Sequence, residues 1–285
     1  MTLLLKSDIA RGQEWARLLA QKAPALSFRT WPDVGDPAEI RYLAAWIPPD
    51  DVMTRFPNLE LLFSVGAGVD QLDLASLPPE LPVLRMIEPG LVDSMVEYVA
   101  MAVLALHRDL VPYVASQHRQ SWQPLRIRPA HERRVGILGL GMLGEACARK
   151  LAGFGFSVAG WRRSPHRIEG VECFAGSAGL PDFLARTDIL VCLLPLTDET
   201  RGILDAALFA GLPQGAMLVN AGRGGHLDQD ALLAALETGR ISAAVLDVTV
   251  PEPLPAGHPL WNHTGVMFTP HIASRSRSDA SLDRL

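Results

Sequence analysis

Between Arg133 and Thr269, short aliphatic or β-branched runs alternate with Ala- and Leu-rich stretches, and no other feature constrains the fold as tightly. This is the pattern of a parallel sheet covered by helices. Strands are predicted at Val135–Leu138, Val158–Trp161, Ile189–Leu193, Met217–Asn220, Ala244–Asp247 and Val266–Thr269, with helices at Leu143–Phe154, Leu180–Arg186 and Gln229–Thr238. A less regular stretch before it places strands near Leu3–Leu5, Leu43–Trp46, Leu61–Val65 and Val83–Arg85, each followed by Gly, Pro or Asp punctuation, and so predicts a second, smaller α/β unit. Glu97–Val114 has helical periodicity and leads into a polar, Pro-containing loop over Gln117–Pro129. The junction is expected near residue 95, giving a smaller domain over 1–95 and a larger one over 96–274.

At 285 residues and 48% hydrophobic content the chain can fill sizeable cores, which excludes a disordered protein. A net charge of -5, with basic residues scattered except at Arg133/Arg134 and Arg162/Arg163, argues against nucleic acid as a partner. Cys147, Cys173 and Cys192 are odd in number and far apart, so neither a disulfide framework nor a zinc site is expected. They read as buried thiols in a reducing compartment. Thr2–Leu5 suits a first strand better than a signal peptide, and the longest apolar run, Tyr98–Leu106, is too short to span a bilayer. A soluble cytoplasmic protein without a membrane partner is expected.

The segment from Val135 to Ala148 reads strand, then Gly139-x-Gly141-x-x-Gly144, then helix. Three glycines can serve a plain turn, but in this context each has a separate task in dinucleotide binding. Gly139 makes the tight turn, Gly141 admits a pyrophosphate to the backbone, and Gly144 lets the helix lie close on the strand, while N–H groups around Met142 and Leu143 face the anion. The next strand ends in Trp161-Arg162-Arg163-Ser164, where an NAD enzyme places an acid on the ribose 2′-hydroxyl. Two guanidiniums and a hydroxyl suit a 2′-phosphate instead, although a solvated basic turn is the plain alternative. NADP(H) is the expected cofactor in preference to NAD(H), which the same fold accepts. Leu194 and Pro195 after the third strand, and Ala221 and Gly222 after the fourth, are placed with these residues as cofactor contacts.

Three polar residues stand just beyond strand ends, the edge where open α/β sheets bind ligands. Arg223, among glycines, can project its fork toward a keto-acid carboxylate and carbonyl. Glu252 lies in Pro251-Glu-Pro-Leu-Pro255 and His271 follows Thr269-Pro270. Carbonyl reduction needs a proton for the oxygen as hydride reaches carbon; His suits that task near neutrality, and a nearby carboxylate orients the ring and favours the imidazolium. Singly, each has an ordinary reading as a surface or structural residue. Their joint occurrence with the glycine motif favours catalysis. Asp247 could accept from the nicotinamide carboxamide or cap the following loop. In the smaller unit, Gly66, Ala67 and Gly68 can form either a backbone nest for a substrate carboxylate or a plain tight turn.

These motifs, in this order and spacing from about residue 60 to 274, resemble the D-isomer-specific 2-hydroxyacid dehydrogenases. Ala45-Trp46-Ile-Pro-Pro49, Gly66-Ala-Gly-Val-Asp70, Ser121-Trp122-Gln-Pro-Leu125, Gly136-Ile-Leu-Gly139 and Glu252-Pro-Leu-Pro255 resemble the glyoxylate/hydroxypyruvate reductase A group across nearly the whole chain. The resemblance implies a Rossmann, doubly wound parallel-sheet cofactor domain inserted in a smaller flavodoxin-like substrate domain, and a homodimer built largely on the cofactor domains. It implies reduction of glyoxylate or hydroxypyruvate, with Arg223, Glu252 and His271 catalytic and Arg162, Arg163 and Ser164 as the NADP turn. Trp46 and the Gly66–Val69 loop fall where relatives line the substrate pocket, and Trp122 where relatives reach toward a partner subunit; core or interface packing is the other reading of both tryptophans. Relatives continue past the histidine into a longer helix, so residues 275–285 are expected to return to the substrate domain, either as a shortened last element or as the beginning of a truncated one. Two rival readings are a non-catalytic dinucleotide-sensing interaction protein and a nucleotide site of methyltransferase type; the latter leaves Arg223, Glu252 and His271 without a task.

Overall fold

Leu3, Leu4 and Leu5 are all buried, and consecutive strand residues are hidden together only when both faces of the sheet are covered. They form the middle of β1 (Thr2–Lys6), followed by α1 (Ile9–Lys22), β2 (Ser27–Thr30), β3 (Ile40–Ala45), α2 (Val52–Arg55), β4 (Leu61–Ser64) and β5 (Val83–Arg85). The strands lie in the order β2-β1-β3-β4-β5 with every neighbouring pair parallel, a flavodoxin-like winding. The Asp8 carboxylate caps α1 by accepting from the Arg11 N–H at 2.9 Å, and the helix packs Trp15, Leu18 and Leu19 with Leu3 and Leu5. Neither α1 nor β2 is among the elements predicted above. β2 is an edge strand whose residues stay partly exposed, so it carries no apolar run.

The computed structural model describes residues 1–65, 72, 76–85 and 89–274. The chain divides into two compact units that part between Leu91 and Val92, the second running to Ser274. The expected return of residues 275–285 lies outside the described residues.

The second unit begins in α3 (Pro89–His107), followed by α4 (Leu110–His118). The single periodicity over Glu97–Val114 is interrupted because Asp109 takes a left-handed backbone, φ 56°, between the two helices. By length and composition Gly90–His107 could cross a membrane, and is longer than its apolar run alone; 56% of it is buried, with Tyr98, Val99, Ala102, Val103 and Leu106 in the core of this unit.

There follow β6 (Arg134–Leu138), α5 (Met142–Gly153), β7 (Ser157–Arg162), β8 (Glu172–Ala175), α6 (Gly176–Ala185), β9 (Ile189–Cys192), α7 (Ala206–Gly211), β10 (Ala216–Asn220), α8 (Gln229–Glu237), β11 (Ile241–Leu246) and β12 (Val266–Phe268). The seven-stranded sheet is parallel throughout, in the order β12-β11-β10-β9-β6-β7-β8. Its winding reverses between β6 and β9, and such a reversal opens a crevice at the carboxyl ends of the strands. Alternate strand residues feed two cores. Val135, Ile137, Ile189, Val191, Val219 and Val245 pack with α3 and α5, and Leu138, Leu190, Cys192, Leu218 and Leu246 pack with α6, α7 and α8. Asp247, expected as the last residue of its strand, is the first residue beyond β11.

At the opposite, amino-terminal edge, Asp188 clamps the start of β6. Its Oδ2 accepts from the Arg134 N–H at 2.9 Å and from Nε at 3.1 Å, and its Oδ1 accepts from Nη2 at 2.7 Å. Burial alone would push the Asp188 carboxyl up, but the side-chain and backbone bonds from Arg134, with its charge and that of Arg133, outweigh burial and hold it below the ordinary carboxylate range. A depressed folded-state pKa gives stability that is present above the unfolded value and lost as pH falls through the folded one. Asp188→Ala is therefore expected to cost about 2 kcal/mol at neutral pH. The gap to the parent protein, read from urea midpoints, should narrow below about pH 4; a gap independent of pH would show that the clamp's charge contributes nothing.

Candidate active site

The glycines after β6 are demanded by space. Gly139 has φ +105°, and a Cβ there would stand 2.8 Å from the Leu193 carbonyl oxygen; a Cβ on Gly144 would stand 1.9 Å from the Gly139 carbonyl oxygen. Gly141 differs: nothing lies within 4 Å of its would-be Cβ, and no side chain caps α5, whose first residue it precedes. The result is an open approach to the uncapped N–H groups of a helix first turn, in which Met142 is exposed and Leu143 and Gly144 face inward. These residues fit a dinucleotide pyrophosphate. At the end of β7 the Trp161 indole N–H is committed to the Gly176 carbonyl at 2.8 Å, which pins its ring, while Arg162 is half-buried and Arg163 and Ser164 are exposed. Leu194 is buried and Pro195 exposed directly after β9, across the winding reversal from Gly139.

Arg223 follows β10 in a loop held at several points. The buried Asn220 accepts from the Gly222 N–H at 3.2 Å through Oδ1 and donates from Nδ2 to the Arg223 carbonyl at 3.1 Å. The Arg223 N–H donates to Nδ1 of the fully buried His226 at 3.1 Å, so the neutral ring must carry its proton on Nε2. Arg223 Nη1 donates to the Gly222 carbonyl at 2.9 Å, giving the guanidinium a defined direction. Ala221 and Gly222, expected as cofactor contacts, are buried where the chain leaves the strand. A Cβ on Gly224 would fall 1.9 Å from the Thr249 carbonyl oxygen, so this loop lies directly against the one that carries Glu252.

Glu252 and His271, 19 residues apart in sequence, meet with Oε2 2.9 Å from Nδ1. The other oxygen of Glu252 accepts from the Thr249 N–H at 3.2 Å, so both ends of the carboxylate are placed. The His271 and Glu252 side chains remain 36% and 39% exposed, enough for a ligand to reach them. His271 has φ 53°, uncommon for a residue with a Cβ, and its N–H donates to the Asp247 carbonyl at 2.9 Å. The Asp247 carboxylate is buried and engaged by the same turn: Oδ1 accepts from Thr269 Oγ1 at 2.6 Å and from the Ile272 N–H at 2.8 Å, and Oδ2 from the Ala273 N–H at 2.8 Å. Asp247 thus clasps the turn that presents His271.

In the first unit Trp46 directly follows β3 and packs partly buried beside the core that holds Trp15 and Phe63. Gly66, Ala67 and Gly68 lie outside the described residues. Among the described residues no group of three or more His, Cys, Asp or Glu side chains could hold a metal ion. Sequence reading missed Tyr98, His226, Thr249 and Thr269, all of which hold the site by hydrogen bonds. Tyr98 and Thr269 stood in segments already singled out, the one for its apolar helical pattern and the other for preceding the histidine, but neither was read as part of the site.

A family model for the NAD binding domain of D-isomer specific 2-hydroxyacid dehydrogenases matches residues 100–273. The glyoxylate/hydroxypyruvate reductase A of Serratia proteamaculans (strain 568) is 40% identical, over 100% of this chain and 93% of that protein. A D-isomer specific 2-hydroxyacid dehydrogenase from Xanthobacter autotrophicus Py2, solved in complex with NADPH and MES, superposes with a TM-score of 0.91 at 43% identity, covering 98% of this chain and 90% of that one. The NADPH-dependent glyoxylate/hydroxypyruvate reductase from Sinorhizobium meliloti, solved with NADP and sulfate, gives a TM-score of 0.89 at 38% identity, covering 99% and 90%. With the glycine cradle, the doubly wound sheet and the Glu252–His271 pair, these matches show that the chain belongs to the D-isomer specific 2-hydroxyacid dehydrogenase family of NAD(P)-dependent oxidoreductases.

Proposed function

We propose that this protein reduces small 2-keto acids, glyoxylate to glycolate and hydroxypyruvate to glycerate, with NADPH as the preferred cofactor. The observation that carries the proposal is the Glu252–His271 pair, held at 2.9 Å on the same sheet edge as the glycine cradle. When bound, the nicotinamide supplies the hydride for the carbonyl carbon. His271 gives the proton to the carbonyl oxygen through Nε2, because Glu252 engages Nδ1 and sets the plane of the ring. Arg223 binds the carboxylate and stabilises the charge that develops on oxygen. The family resemblance assigns Gly66, Ala67 and Gly68 to the substrate carboxylate and Trp46 to the substrate. Arg162, Arg163 and Ser164 bind the 2′-phosphate, and the absence of an acid at this strand end removes a repulsive partner. The names of the Serratia and Sinorhizobium relatives support the substrates and the cofactor.

The reading extends to a cytoplasmic homodimer. Trp122 is 99% exposed and Ile127 73% exposed on an extended segment of the cofactor unit, a surface that a second copy would cover.

The test is a steady-state comparison of NADPH and NADH with glyoxylate, hydroxypyruvate, pyruvate and a bulky 2-keto acid. Higher kcat/KM with NADPH and with the two small substrates is expected. Replacing Arg162 and Arg163 together with alanine should weaken NADPH about 100-fold and leave NADH nearly unchanged, from the loss of two charge-assisted contacts at about 1.5 kcal/mol each. A preference for NADH in the parent protein would remove the 2′-phosphate assignment. Light scattering on the same preparation should give a dimer mass, and a monomer would remove the assembly.

A further inference from the structure

His271 sits in a left-handed backbone that a residue with a Cβ adopts only when its surroundings impose it. The His271 N–H is shared between the Thr269 carbonyl at 3.0 Å and the Asp247 carbonyl at 2.9 Å, and Asp247 holds the rest of the turn as well. Asp247 receives the His271 N–H on its main-chain oxygen and the Ile272 and Ala273 N–H groups on its two carboxylate oxygens, so three successive amides of the turn converge on a single partner. The orientation of that carboxylate depends in turn on Thr269 Oγ1, 2.6 Å from Oδ1. Beyond Thr269 stands Tyr98, whose hydroxyl is 2.6 Å from the same Oγ1.

Counting hydrogens gives the chain a direction. Asp247 is an acceptor, so the one hydroxyl hydrogen of Thr269 is spent on it, and Tyr98 must donate to Thr269. The series Tyr98 to Thr269 to Asp247 therefore ends on the group that gathers the turn. Its origin is rigid: Tyr98 is 7% exposed and packs in the core with Val99, Ala102 and Val103 of α3.

We propose that Tyr98 is a positioning residue for the reduction, its hydroxyl acting through Thr269 and Asp247 to set the turn that aims His271. The proposal rests on His271 being the proton donor. Burial pushes the Tyr98 phenol up to about 12, with the bond to Thr269 opposing and the Asp247 charge adding, so it stays a neutral donor at any working pH. Without the phenol hydrogen, the Thr269 hydroxyl keeps its bond to Asp247 but loses the donor that holds its oxygen from the other side. The clasp on Asp247 loosens, and the imidazole drifts from the geometry that Glu252 and the substrate oxygen require.

A hydroxyl that merely satisfies the core would affect folding when removed, whereas a positioning residue affects turnover. Tyr98→Phe is expected to lower kcat about 10-fold and Thr269→Val about 100-fold, the scale of a small misplacement of a reacting group. Melting temperature and NADPH affinity, measured by fluorescence titration, should stay near the parent values. Thr269→Ser keeps the hydroxyl and should restore most of the rate lost in Thr269→Val. The double variant Tyr98→Phe/Thr269→Val should be no slower than Thr269→Val alone, because Tyr98 acts only through Thr269. Parent-like kcat in Tyr98→Phe, or losses that multiply in the double variant, would overturn the proposal. If Tyr98→Phe folds poorly, the contrast between Thr269→Ser and Thr269→Val decides.

A readout independent of turnover is the ring carbon signal of His271 in 13C-histidine-labelled protein, identified by its loss in His271→Ala. The signal should move in Tyr98→Phe, and an unmoved signal overturns the relay. A parent protein that reduces no keto acid would instead overturn the functional reading, and the His271 signal would still report on the turn.

Discussion

His271→Ala is expected to lower kcat for glyoxylate by about 10²- to 10⁴-fold, the range that a positioned general acid supplies. The side chain is 36% exposed and belongs to neither hydrophobic core of this unit, so its loss opens no cavity in either. The glycine cradle belongs to β6 and α5, and NADPH affinity should be retained. A proton delivered only as the carbonyl is reduced is an interaction of the transition state, so kcat and kcat/KM should fall together. Steady-state rates at saturating NADPH, with affinity measured separately, check both parts. A variant with the rate of the parent protein would remove His271 as proton donor.

Arg223→Lys is expected to lower kcat/KM about 10²- to 10³-fold, comparable to removing a preorganised donor from a developing oxyanion. The charge survives this change, but the geometry does not. A guanidinium offers a planar fork that can hold carboxylate and carbonyl together, and the Nη1 bond to the Gly222 carbonyl directs that fork. An ammonium on a flexible stem reproduces neither. The bonds from Asn220 and His226 to this loop run to backbone atoms, so the loop should keep its shape and the melting temperature should move little. Kinetics with glyoxylate and a thermal melt together test this. A lysine variant within a few-fold of the parent rate would mean that charge alone suffices.

The parts legible from sequence are those whose signals are local. Val135–Leu138 and Ile189–Cys192 read as strands because burial on both sides requires continuous aliphatic runs. Gly139, Gly141 and Gly144 read as a cradle because their spacing meets three separate steric demands, which the structure makes explicit. β2 and β8 were illegible because Ser27, Arg29 and Glu172 break up the aliphatic run, which their edge positions permit. α6 begins at Gly176, earlier than the expected Leu180, and runs through Pro181, which composition discourages in a helix interior. The supports of the site were illegible for another reason. Tyr98 and Thr269 are 171 residues apart, and nothing near either in sequence announces the other. Asp247 was legible as a strand-end acid, but its three bonds into the His271 turn exist only once β11 and the segment after β12 are side by side.

The parallel sheet of the second unit has two unlike rims. Gly139, Arg162, Arg223, Asp247 and His271 all sit at or just beyond the carboxyl ends of their strands, whereas the Arg134–Asp188 clamp ties together the opposite ends. Directed evolution of this protein would then meet two separate territories. Changes along the amino-terminal rim trade in robustness, and changes along the carboxyl rim trade in selectivity. Gains from the two can be combined in one gene because the rims lie at opposite ends of the strands, and effects at such separated sites add.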